Sequence, residues 1–158
     1  GYDRGHQIPS ADRLTTDADN AMTFYYTNMT PQTGKGFNQS IWANLEQSVR
    51  AWSSGTDTLY VVTGAMPTTT TDTKVTYVKD NDGKNVAVPK YYFKALARKI
   101  SGQFHTIAFK LDHKTYSDPT GYMDCAMSVS DLEKLTGFTF FPTLDAATKA
   151  ELDLSKWQ

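Results

Sequence analysis

Apolar positions recur along the chain in blocks, and the spacing within each block predicts an element. Ile41, Trp42, Leu45, Val49 and Trp52 follow at the three-and-four spacing of one helix face, so an amphipathic helix of about four turns is expected, ended by Gly55. Leu59-Tyr60-Val61-Val62-Thr63-Gly64 is a β-branched and aromatic run and predicts a buried strand. Val75–Val78 alternates as a second strand, Asn81-Asp82-Gly83 supplies a tight turn, and Val86–Val88 returns until Pro89 stops it. Phe104–Leu111 alternates as a further strand. Near the end, Ser130-Asp131-Leu132-Glu133 reads as a capping box for a last helix that Gly137 terminates. The first forty residues are rich in Asp, Asn, Thr, Gly and Pro and read as ordered loop with short pieces of structure, and Thr68–Thr71 reads as a polar loop. The expected fold is a single α+β domain over residues 1–158 with hairpin-linked, mainly antiparallel strands.

Composition adds limits to that picture. At 39% hydrophobic, a chain of 158 residues carries enough apolar surface for a core, which excludes disorder as the main state. Its apolar runs are short and broken, so no membrane partner is expected. Sixteen Lys and Arg against seventeen Asp and Glu give a charge of -1, which argues against bulk affinity for polyanions and leaves nucleic-acid binding to a local site. The single Cys125, in apolar surroundings with Asp124 beside it, is expected to be a buried structural thiol of raised pKa. Gly1 leads directly into the polar motif Tyr2-Asp3-Arg4-Gly5-His6, which reads as a processed chain or a fragment with residues missing upstream.

Chemistry concentrates in the first fifty residues. Of three histidines, His105 reads as a packed or surface strand residue and His113 as a solvated strand end. His6, beside Asp3, Arg4 and Gly5, is either a general base or a turn histidine satisfied by a carbonyl. Asn28 before Thr30-Pro31 holds a turn or serves a site, and Asn38 caps the following helix or binds a ligand. Glu46 and Arg50, four residues apart, pair on an exposed face or belong to the same site. Taken singly these are ordinary residues, but one His, two Asn, one Glu and two Arg within fifty positions form a constellation.

Asp3-Arg4-Gly5-His6, Asn28-Met29-Thr30-Pro31-Gln32, and Asn38 with Trp42, Glu46 and Arg50 resemble the DNA/RNA non-specific endonucleases. These are sugar-nonspecific nucleases of the ββα-metal (His-Me finger) class, relatives of endonuclease G. The likeness continues in the family's order through Leu59–Gly64, Val88–Lys94, Leu132–Gly137 and Phe140-Phe141-Pro142, and so covers nearly the whole chain.

The resemblance implies a ββα-metal fold with a central antiparallel sheet flanked by helices, and hydrolysis of DNA and RNA phosphodiesters to 5′-phosphate ends. It makes His6 the general base and Asn38 the direct ligand of Mg²⁺, with other divalent cations as alternatives. Arg4 resembles an arginine near the scissile phosphate, with a structural salt bridge as its alternative, and Asn28 an asparagine that supports the site. On a continuous helix Glu46 would lie roughly 12 Å beyond Asn38 and about 80° round, close enough to reach metal-bound waters but not to ligate directly. Arg50, a turn further, is expected to orient Glu46 or touch phosphate. Aromatics such as Tyr25, Tyr26, Tyr91 and Tyr92 are expected in the core more than on bases. The family's upstream segment leads one to expect a missing N-terminal piece, association with it or a homodimer, and a periplasmic or secreted home. The competing reading is a non-catalytic nucleic-acid-binding or structural module of the same fold.

Overall fold

The computed structural model describes residues 1–56 and 58–158. Short elements carried on loops come first: strand β1 (Asp3–His6), helix α1 (Asp17–Met22) and strand β2 (Met29–Gln32). β1 and β2 pair antiparallel as a small separate sheet, with Gly5 opposite Thr30 and His6 opposite Met29. Helix α2 (Ala43–Trp52) follows, so two strands and a helix succeed one another in the first third of the chain.

The predicted helix is regular only from Ala43 onward. Regular winding begins at Ala43, and Gly34–Trp42 is an irregular coil with non-helical backbone at Lys35, Gly36 (φ 78°) and Ser40 (φ -141°, ψ -109°). The apolar positions that defined the helix are nonetheless all buried. Packing of Ile41 and Trp42 therefore mimics helical spacing across a break at Ser40. The helical rise and rotation expected between Asn38 and Glu46 do not apply.

Strand β3 (Leu59–Met66) comes next, then the hairpin β4 (Thr76–Lys79) and β5 (Asn85–Val88), closed through Asp80 and Lys84 with Gly83 at positive φ. The long strands β6 (Tyr91–Ile100) and β7 (Gln103–Asp112) form a second hairpin, and the short β8 (Ala126–Met127) completes the central sheet in the order β3-β6-β7-β8. Every pairing is antiparallel. Helices α3 (Val129–Thr136) and α4 (Ala146–Ala150) close the chain. None of the helices among the described residues is long and apolar enough to cross a membrane.

β6 organises the core because both of its faces are covered. Tyr92 and Leu96 point into one apolar cluster with Ile41, Trp42, Leu45, Val49 and Trp52 of the α2 side, together with Ile107, Phe109 and Trp157. Tyr91, Phe93 and Ala95 point the other way, against Val129 and Leu132 of α3 and Phe140. The result is three layers, helix on sheet on helix. β3 is the correction to the predicted buried strand: it is an edge strand, and Tyr60, Val61 and Val62 are 50%, 42% and 38% exposed. The capping box also shifts. Ser128, not Ser130, caps α3 by accepting from the Asp131 N–H at 3.1 Å, while Glu133 accepts from the Phe140 N–H. Cys125 is half-buried against the α2-side cluster, and burial raises its thiol pKa as expected.

Candidate active site

His6 ends β1, where the ladder to Met29 fixes its backbone. Gly5 before it has a packing reason. A Cβ there would lie 2.2 Å from Oε1 of Gln32, a fully buried side chain whose amide fills that space. The imidazole is half-buried edge-on to Phe24 at 4.8 Å, and its Nε2 is buried without a hydrogen-bond partner among the described residues. Burial lowers its pKa, so the neutral ring, with a free lone pair, dominates near neutrality.

Asn28 acts on the backbone two residues beyond His6. Its Oδ1 accepts from the Ile8 N–H at 2.9 Å, and its Nδ2 donates to the carbonyls of Ile8 (2.9 Å) and Thr23 (2.8 Å). Both amide donors are spent on main chain, so Asn28 braces the His6 loop and does not reach outward.

Asn38 lies in the irregular coil ahead of α2. Its Nδ2 donates to Asp3 Oδ2 at 2.9 Å, and Gln39 Nε2 donates to the same oxygen at 2.7 Å. Asp3 thereby fixes which way the Asn38 amide faces and leaves Oδ1 free of that bond to act as an acceptor or ligand. Asp3 belongs to the Asp-Arg-Gly-His motif, yet sequence reasoning gave it no task.

Glu46 and Arg50 do not form the pair that their spacing allowed. Arg50 Nη1 instead bonds Asp12 Oδ1 at 3.0 Å, tying α2 to the loop beyond His6. Burial lifts the Glu46 carboxyl to about 7, against the opposing pull of the Lys94 and Arg50 cations. Lys94 is the residue that sequence reasoning missed. It is 1% exposed on β6, with Nζ 4.8 Å over the Trp42 ring and donating to Thr63 Oγ1 at 2.9 Å. Burial lowers its pKa to about 8, opposed mainly by the Glu46 carboxylate. A lone Lys inside the apolar run Tyr91–Leu96 was the available signal.

Arg4 is exposed, and among the described residues it has no ion-pair partner. Beside the site runs an open groove of about 640 Å³, lined by Gln7, Asp12, Arg13, Arg50, Val61 and Thr63 among others. The other histidines divide. His105 is packed as expected, its Nδ1 3.1 Å from both Glu151 oxygens. His113 is not solvated: the Thr33 N–H donates to its Nε2, and its Nδ1 lies against the Pro89 carbonyl, each at 2.7 Å. Tyr91 and Tyr92 are core, whereas Tyr25 and Tyr26 are 61% and 88% exposed, contrary to the expectation for that group.

A divalent cation fits these donors. Mg²⁺ prefers oxygen ligands and keeps most of its waters, so a single amide oxygen with a carboxylate to hold waters is a sufficient set. Among the described residues, no three His, Cys, Asp or Glu side chains gather into a conventional metal cage.

Residues 1–147 match the family described as DNA/RNA non-specific endonuclease. The chain is 36% identical to Nuclease C1 of Cunninghamella echinulata var. echinulata, over 96% of this chain and 62% of that protein. It is 31% identical to the mitochondrial nuclease of Saccharomyces cerevisiae, over 96% of this chain and 50% of that one. Among solved structures, one described as "Crystal structure of the EndoG/EndoGI complex: Mechanism of EndoG inhibition" superposes with a TM-score of 0.77 at 26% identity, over 94% of this chain and 62% of that one. With the succession β1, β2, α2, this likeness establishes the α+β, ββα-metal nuclease fold. The chain spans about half to three-fifths of the length of the curated relatives it matches. The expectation of a periplasmic or secreted home is overturned. Relatives from Saccharomyces cerevisiae, Schizosaccharomyces pombe, Caenorhabditis elegans and Homo sapiens are mitochondrial nucleases.

Proposed function

The chain belongs to the DNA/RNA non-specific endonuclease family, and from that premise we propose that residues 1–158 form one nuclease domain that cuts DNA and RNA with a divalent cation, Mg²⁺ in the first instance. The observation that carries the reading is the placement of His6: a half-buried imidazole held at the end of β1, whose lowered pKa keeps it neutral and able to accept a proton. Such a ring is suited to take a proton from water.

In the proposed reaction, the His6 imidazole removes a proton from a water as its oxygen attacks phosphorus in line with the P–O3′ bond. The O–P bond forms, the P–O3′ bond breaks, and the 3′ oxygen leaves as an alcohol after taking a proton from solvent. One fragment keeps a 5′-phosphate. Asn38 Oδ1 would hold the cation, with Glu46 acting through its waters. When bound, the cation supplies positive charge that stabilises the phosphoryl oxygens and the departing oxygen. Asp3 keeps the Asn38 amide turned for that task. Arg4, exposed on β1, and the arginines of the groove meet substrate phosphate. The Arg50–Asp12 pair and Asn28 hold the His6 loop against the rest of the site. Recognition by phosphate, not by base edges or the 2′-hydroxyl, accounts for indifference to the sugar.

Incubating plasmid DNA and RNA with the chain, with Mg²⁺ or with a chelator, tests the proposal. The expected result is cleavage of both polymers only with metal, giving ends that a ligase accepts without added kinase. Binding without cleavage by folded protein would overturn it in favour of a non-catalytic module.

A further inference from the structure

The coil that carries Asn38 is braced from outside as well as within. Lys35, Gly36 and Ser40 depart from helical backbone, so Gly34–Trp42 is not a regular helix, and its Asn38 N–H reaches back five residues to the Thr33 carbonyl. The segment after β7 holds the coil in place. The Tyr116 N–H donates to the Gly36 carbonyl at 2.9 Å, and a Cβ on Gly36 would lie 2.3 Å from Thr115 Cγ2. His113 makes the third attachment, and it leads straight to Asn38.

We propose that His113 is a positioning residue for Asn38, acting through the two backbone groups of Thr33; the proposal rests on Asn38 being the cation ligand. A carbonyl only accepts, so the Pro89 oxygen 2.7 Å away requires the proton on His113 Nδ1. The neutral ring then has a bare Nε2, and the Thr33 N–H donates to it at 2.7 Å. The Thr33 carbonyl in turn accepts from the Asn38 N–H at 2.9 Å. Thr33 is thus held by His113 on one side and holds Asn38 on the other. The ring face adds to the grip, packing edge-on against Phe37, the neighbour of Asn38, and against Tyr92, both at 5.3 Å. Burial keeps the His113 pKa below its ordinary value, which preserves the acceptor.

Two substitutions cut the same bond from opposite ends. His113→Phe keeps a ring and loses both polar atoms. Thr33→Pro removes the N–H, with the threonine hydroxyl and methyl, and the Thr33 φ of -58° already suits proline. In the full chain without metal, amide hydrogen exchange across residues 34–38 should speed up in both variants. In Mg²⁺ titrations of cleavage, the half-saturating concentration should rise by about tenfold, the scale of losing a group that orients a metal ligand, while the rate at saturating Mg²⁺ changes much less. His113→Gln offers an acceptor and a donor again and should restore both readouts. The double variant should be no worse than His113→Phe alone, since the Thr33–His113 bond can be lost only once.

Unchanged exchange and Mg²⁺ requirement in folded His113→Phe would overturn the proposal, as would effects of the two substitutions that add in full. If His113→Phe does not fold, Thr33→Pro against His113→Gln decides by the same readouts. Failure of the wild-type chain to cut would sink the nuclease reading itself, a result distinct from a cutting enzyme whose Mg²⁺ requirement ignores His113.

Discussion

Glu46 and Lys94 face each other's fields across the seam between α2 and β6, and each moves the other's proton. With its carboxyl lifted to about 7, Glu46 is partly protonated in neutral, metal-free protein. Holding metal-bound water needs the carboxylate, so below that pH a proton competes with the cation. The half-saturating Mg²⁺ concentration for cleavage should therefore rise as pH falls from 8 to 6, and saturating Mg²⁺ should push the acid limb downward. Lys94→Met removes the cation that favours ionised Glu46, so this acid limb should move up by about one unit, a shift readable in pH–rate profiles; an unmoved limb would uncouple the two residues. Sequence reasoning found His6, Asn28, Asn38, Glu46 and Arg50 because they cluster in the first fifty positions within a recognisable order. It missed Lys94, Asp12 and His113 because their partners are distant in the chain: Lys94 meets Thr63, Asp12 meets Arg50 and His113 meets Thr33. Nothing local marks a histidine whose two nitrogens are claimed by residues 24 and 80 positions away.

At the level of elements, periodicity was informative wherever one face is buried and one is wet. It located α2, β7 and the β4–β5 hairpin. It failed on β6, whose run Tyr91–Ile100 neither alternates nor avoids Lys, Arg and Ala, because both faces of the central strand are covered. The two cations there survive burial by lying over indoles: Lys94 over Trp42 and Arg98 over Trp157. β3 erred in the opposite direction. Its Tyr-Val-Val run reads as interior, yet it sits at the sheet edge. For α3, two serines two residues apart both suit the cap pattern, and the apolar Val129 and Leu132 settle the frame by burying against β6 and β7. Ser128→Ala should then cost about 1 kcal/mol in chemical denaturation, whereas Ser130→Ala should stay within about 0.5 kcal/mol of wild type, as surface substitutions do. Equal losses would return the cap to Ser130.

Over the whole molecule, a charge of -1 and a three-layer fold leave little long-range pull on a polyanion. Affinity then depends on a few arginines near the groove, of which Arg50 is already half-committed to Asp12. With about three phosphate contacts, the salt dependence of binding measured without metal should be shallow, with log K falling against log salt at a slope of about -3 on duplex DNA; a slope several units steeper would reveal a basic surface elsewhere. The order of motifs along the chain made the fold class legible, while the strand order and the layering of α2 and α3 on opposite faces of β6 emerged only from the structure. The role of His6 bears most directly on function. Cleavage of plasmid DNA and RNA at saturating Mg²⁺ should be compared between wild type and His6→Ala, with thermal melting confirming equal folding. The expected result is loss of about 10²-fold or more in rate on both polymers with an unchanged melting temperature. A folded His6→Ala protein that cuts at the wild-type rate would contradict it.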